Sequence, residues 1–115
     1  MFALISPAKS LDFESPYPNK SQNAAVSQPA FLTQASQVIE VLKDFSPQQL
    51  GELMKISDKL ASLNTARHQE WQPPFSLENA KPAVLAFTGD VYTGLDAPSL
   101  SNAELEFVQQ HLGIL

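Results

Sequence analysis

Apolar and polar positions are arranged in three ways along the chain, and each predicts a different kind of element. The first is the unbroken apolar run. Phe2-Ala3-Leu4-Ile5 stops at Ser6-Pro7, the pattern of a short buried strand. Ala83-Val84-Leu85-Ala86-Phe87 has the same character and opens into the turn residues Thr88-Gly89-Asp90. It is expected to be a second, fully buried strand of the same sheet. The second arrangement is helical spacing. Phe31, Ala35, Val38, Ile39, Leu42 and Phe45 fall on one face, so Phe31 to Phe45 is predicted to be an amphipathic helix. Ser46-Pro47-Gln48-Gln49 starts another: Ser46 caps, Pro47 suits the first helical position and Gln49 completes a capping box. That helix is expected to turn Leu50, Leu53 and Met54 inward. Ile56-Ser57-Asp58 breaks it and caps a further helix from about Asp58 to Arg67, and Pro73-Pro74 ends the region. Ser101 with Glu104 makes a second capping box, followed by Leu105, Val108 and Leu112 as an inner face. The third arrangement has no period: residues 12–30 carry Pro16, Pro18 and Pro29 among Ser, Asn and Gln, and read as a long polar loop. The fold class is mixed α/β (α+β), with a small sheet and several helices.

Composition narrows the function classes. The chain has 115 residues, enough for one domain with a real core. It has no cysteine, which removes disulfides, thiolate nucleophiles and thiolate metal sites. Net charge is −5 and charged residues make up 17%, where an electrostatic nucleic-acid binder is normally basic. Any DNA contact must be local, or most of the basic surface must lie elsewhere. The apolar opening is too short for a secretory signal and no stretch is long enough to span a membrane, so a soluble cytoplasmic protein with no membrane partner is expected. The apolar tail Leu112-Gly113-Ile114-Leu115 reads either as a segment docked on the core or as a chain cut inside a larger fold. The second is the expectation here: residues 1–115 as the N-terminal part of one larger domain, with the C-terminal half of the same fold as its missing partner.

Three stretches together carry a family likeness: Ser6-Pro7-Ala8-Lys9 with Leu11 and Asp12, Leu53 through Ala61 (LMKISDKLA), and Phe87 through Leu95 (FTGDVYTGL). In this order and spacing the chain resembles the YaaA family of peroxide-stress proteins. The resemblance covers nearly the whole chain. It implies a role in resisting hydrogen peroxide, DNA binding through a basic cleft and a helix-hairpin-helix element, and a fold peculiar to the family. It also implies a protein more than twice this length.

The middle stretch, within a helix-hairpin-helix candidate at residues 46–68, has a chemistry of its own. Such a hairpin points backbone N–H groups at a phosphate and adds the positive end of its second helix. Leu53 would pack inward, Ile56 would be the apolar centre, Lys55 and Ser57 the flanks, and Ala61 the point where the helices touch. Lys59, in the first turn of the second helix, would reach the same phosphate strand. Neither flank is glycine, so a positive φ would strain Lys55. The bland alternative is an ordinary helical hairpin with solvated lysines. Lys9, just beyond a strand end, is either a phosphate contact, an amine nucleophile or a surface lysine. Asp90 and Tyr92 offer an acceptor and a donor beside two glycines; their bland reading is a turn in which Tyr92 packs. His68, Glu70 and His111 lack any familiar ligand spacing, so no metal and no cofactor are expected. Three functions remain: a DNA-associated protein using Lys55, Ser57, Lys59 and Lys9, which is the main reading; an enzyme with a Lys9, Asp90 and Tyr92 pocket of unknown reaction; and an iron-handling protein.

Overall fold

The computed structural model describes residues 1–16 and 26–115; the middle of the expected polar loop, residues 17–25, lies outside the described residues. In chain order the elements are β1 (Ala3–Ile5), α1 (Leu32–Lys43), α2 (Pro47–Met54), α3 (Asp58–Glu70), α4 (Ala83–Ala86), α5 (Asp90–Leu95), a 3₁₀ turn (Ala97–Ser99), α6 (Asn102–His111) and β2 (Leu112–Ile114). They form two compact units. One is Gln28–Phe75; the other joins Met1–Ser27 to Ser76–Leu115.

The first unit is helical, and local chemistry sets its boundaries. Ser46 accepts from the Gln49 N–H at 3.2 Å while the Gln49 side chain accepts from the Ser46 N–H at 2.9 Å. This is the expected capping box, with Pro47 at the first helical position. Ser57 caps α3 by accepting from the Leu60 N–H at 3.3 Å. Both α1 and α2 pack on α3. The core is Ile39, Leu50 and Ala61 with the buried polar Asn64. Leu50 has no exposed surface, and burying it contributes about 2 kcal/mol. The Gln28 side chain closes the unit: its Nε2 donates to the Phe75 carbonyl at 2.7 Å and its Oε1 accepts from the Phe75 N–H at 3.3 Å. Gln69 Nε2 donates to the Lys43 carbonyl at 2.8 Å, satisfying one of the orphan acceptors that end α1.

In the second unit β1 and β2 form a two-stranded parallel sheet, with Ala3 opposite Leu112, Leu4 opposite Gly113 and Ile5 opposite Ile114. The Leu115 N–H extends the ladder to the Ile5 carbonyl at 3.0 Å. The Ser101–Glu104 capping box starts α6 as the sequence predicts, and Leu105, Val108 and Leu112 are half-buried.

Four expectations change. Ala83–Phe87 is not a strand: Ala83–Ala86 is one helical turn, and only Phe87 makes an isolated antiparallel bridge, to Leu11. An apolar run without a period fits a buried strand or a buried helical turn equally. Here Pro82, at φ −51°, leads into two alanines that favour the helix. The Phe2–Ile5 strand exists, but Phe2 and Leu4 are 59% and 62% exposed rather than buried. In α2, Leu50 takes the inward position and Leu53 is 60% exposed. On the predicted apolar face of α1 and its flanks, Ile39, Leu42 and Phe45 are buried or half-buried while Phe31, Ala35 and Val38 are exposed. Residues Leu112–Ile114 of the apolar tail form β2. Among the described residues no helix is long and apolar enough to cross a membrane.

Candidate functional site

Two places gather the residues that the sequence singles out, one in each unit. In the helical unit the turn between α2 and α3 is three residues long, Lys55-Ile56-Ser57. Lys55 adopts φ 54° and ψ 51°, the left-handed conformation. That geometry bends the chain so that the N–H groups of Lys55 and Ile56 both meet the Gly51 carbonyl, the second at 3.2 Å. It is the usual way to end a helix, but glycine normally supplies it; a lysine there costs roughly 1–2 kcal/mol of backbone strain. Behind the turn α2 and α3 meet closely. A Cβ on Gly51 would lie 3.5 Å from the Ala61 Cβ, an ordinary contact, so Ala61 does sit where the two helices touch. Lys55, Ser57 and Lys59 are all exposed. Ser57 is the N-cap, Asp58 the first residue and Lys59 the second residue of α3. The first N–H groups of a helix have no partner within it, and this end carries the positive side of the helix dipole. The turn therefore presents two ammonium groups and a helix N-terminus together, with Asp58 opposing them.

In the other unit a clamp holds the segment after β1. Tyr92 is buried and its hydroxyl donates to the Ser6 carbonyl at 2.7 Å. Its ring lies 5.3 Å from the Phe87 ring. Burial pushes its phenol pKa up, so it is a donor, not a base. The Thr88 N–H donates to the Ser10 carbonyl at 3.1 Å and the Asp12 N–H to the Ala86 carbonyl at 2.7 Å. Lys81 Nζ donates to the carbonyls of Asp12 and Ser15 at 3.0 and 3.1 Å. It also lies 4.0 Å from an Asp12 carboxylate oxygen, with 10% of its side chain exposed. The Asp12 carboxyl is held down to about 2, chiefly by hydrogen bonds from the side chain and backbone of Ser15, helped by the Glu14 N–H and the Lys81 charge. Lys9 is exposed within this clamped segment, and Asp90 is exposed in the first turn of α5. Gly89 precedes α5 at φ 119° and ψ 177°, a conformation essentially reserved for glycine.

The structure thus ties Tyr92 to the Lys9-bearing loop, but through Ser6. Ala83–Ala86 is helical, so Lys9 and Asp90 do not follow two neighbouring strands; the Leu11–Phe87 bridge and the Thr88–Ser10 bond instead set the segments that carry them side by side. Of the histidines, His68 Nδ1 is buried without a hydrogen-bond partner among the described residues, and burial lowers its pKa. His111 Nδ1 lies 2.8 Å from the Phe107 carbonyl, with the two rings stacked at 4.0 Å. Among the described residues no three His, Asp or Glu side chains are grouped so as to hold a metal ion. Sequence reasoning missed Lys81. Its partners are 66 and 69 residues away, beyond the reach of any local pattern.

The sequence model of the family described as "Peroxide stress protein YaaA" matches residues 1–115. A UPF0246 protein of Idiomarina loihiensis is 55% identical over the whole chain, which covers 43% of that relative. UPF0246 proteins of Shewanella baltica and Aromatoleum aromaticum are 52% and 51% identical, again over the whole chain, which covers 43% and 42% of them. The chain therefore spans less than half the length of the relatives that it matches.

Proposed function

Since the chain belongs to the peroxide stress protein YaaA family, we propose that its α2–α3 hairpin grips the phosphate backbone of duplex DNA during the response to hydrogen peroxide. The observation that carries this reading is the left-handed Lys55. Glycine would make the same turn without strain, and unrelieved strain concentrates at functional positions. The lysine there places an ammonium at the tip of the turn, next to the N-terminus of α3. In this reading Lys55 and Lys59 neutralise phosphates, and Ser57 holds the first turn of α3 in place. Nothing in the turn is shaped to read base edges, so affinity is indifferent to sequence. Lys9, held by the clamp in the other unit, is a further phosphate contact.

The test is a gel-shift titration at several salt concentrations, on a chain extended to the length of its relatives. Each phosphate contact contributes about 0.9 to the slope of log affinity against log salt. Changing Lys55 and Lys59 together to alanine is expected to weaken binding to all duplexes alike and to flatten the slope by roughly 1.8. An unchanged slope would return the segment to a helical hairpin with two solvated lysines.

A further inference from the structure

The two-stranded sheet offers a second surface, unrelated to phosphate binding and independent of that reading. Side chains alternate across a strand, so Phe2 and Leu4 share a face; the register adds Gly113 to it, and the same alternation carries it on to Leu115, whose N–H continues the ladder. A Cβ built on Gly113 would stand 2.9 Å from Leu4 Cδ2 and 3.1 Å from Phe2 Cε1. The glycine thus leaves room for Leu4 and Phe2 to lie across β2. The result is an apolar platform of Phe2, Leu4 and Leu115, all exposed. Parallel strands are found almost only where both faces are covered, and a pair alone is marginal. Exposed edges in natural proteins are blunted with charge, proline or a bulge. Neither Ala3-Leu4-Ile5 nor Leu112-Gly113-Ile114 carries any of these.

We propose that this platform is the docking face for the rest of the same polypeptide, the part of its relatives that this chain does not span. That part covers the platform with an apolar face and adds strands to the open edges. Two features select this occupant. The side chains of the platform carry no charge to select a polar partner, and more than half the length of each matched relative lies outside the region of similarity.

The test compares the 115-residue chain with a long chain in which it is followed by the remaining residues of the Idiomarina loihiensis relative. The short chain has no cysteine, so Leu4→Cys introduces a single thiol there; in the long chain labelling is read on the peptide by mass spectrometry. A buried thiol reacts only on local opening, so labelling at position 4 is expected to slow by about a hundredfold in the long chain. Glu106→Cys, at an exposed position of α6, is expected to label alike in both. Hydrogen exchange at residues 2–5 and 112–115 of the unsubstituted long chain reads the same protection without any substitution. Equal rates at position 4 in both chains, equal slowing at both cysteines, or no gain in amide protection would each overturn the proposal. So would a short chain that already protects position 4 in a concentration-dependent dimer dissolved by Leu4→Lys, because the occupant would then be a second copy.

Discussion

Replacing Lys55 with glycine separates backbone strain from charge, because the two contributions change in opposite directions. In the structure Lys55 sits at φ 54° and ψ 51°. A non-glycine residue pays roughly 1–2 kcal/mol there, and glycine pays nothing for the conformation. Glycine is in turn looser in the unfolded chain, which costs about 0.5–1 kcal/mol. The N–H bond to the Gly51 carbonyl survives, since it belongs to the backbone. Among the described residues no ion pair holds the Lys55 side chain, so none is lost with it. The net expectation is a stabilisation of about 0.5–1 kcal/mol, seen as a higher urea midpoint with the slope m unchanged. DNA binding moves the other way: the slope of log affinity against log salt falls by about 0.9. Both are measured on the chain extended to full length, by urea unfolding and by gel shift at several salt concentrations. A less stable Lys55→Gly protein would mean that the residue is not strained in the folded molecule. A more stable one with an unchanged salt slope would mean that the strain serves something other than phosphate.

Two further outcomes test the clamp. Tyr92→Phe removes the 2.7 Å bond to the Ser6 carbonyl; it is expected to cost about 1 kcal/mol in chemical unfolding and to raise hydrogen exchange in residues 6–12, and unchanged exchange there would deny Tyr92 its positioning role. The Asp12 carboxyl titrates at about 2 in the fold against its ordinary 3.8, so its contribution is complete above pH ~3.8 and is lost as pH falls through ~2; unfolding midpoints measured across that window are expected to fall less steeply for Asp12→Asn, and parallel curves would refute the linkage.

What could be read in the sequence follows the range of the interactions. Ser46 with Gln49, Ser57 ahead of Asp58, and Ser101 with Glu104 act within one turn, so each cap appears as a local pattern and each is observed. The three exposed lysines were identifiable from residue type and spacing, and the strain at Lys55 follows once a short turn is required between two helices. Ala83–Phe87 was misread because its apolar run has no period, and only Pro82 and the two alanines favour the helical turn. The parallel strand β2 could not be seen in three residues whose partner is over a hundred positions away. Lys81 was missed for the same reason: buried lysine is rare without partners, and its partners are brought to it only by folding. Leu53 illustrates a different limit. Helical spacing gives the direction of the apolar face but not its width, and in the folded chain Leu50 is buried and Met54 half-buried while Leu53 is left exposed.

A chain of net charge −5 is an awkward carrier for a phosphate-binding hairpin, and the resolution lies in distance. Charges separated by more than about 8 Å are largely screened at physiological salt. Contact energy therefore depends on the groups at the turn itself, where Lys55 and Lys59 against Asp58 leave an excess of one positive charge. Approach from solution depends on the field of the whole surface, and here the acidic total works against a polyanion. One excess charge can orient a phosphate but cannot hold duplex DNA at physiological salt, since each contact adds only one increment to a salt-dependent total. The DNA-binding reading therefore requires a basic surface in the part of the protein that this chain does not span. It also gains from that part being fixed to this one, since a flexible tether would couple the lysines on one body to contacts on the other only through its effective concentration. The apolar platform of Phe2, Leu4 and Leu115 offers that part a fixing point on the unit that carries Lys9, so a variant that opens the platform would lower DNA affinity with every lysine intact.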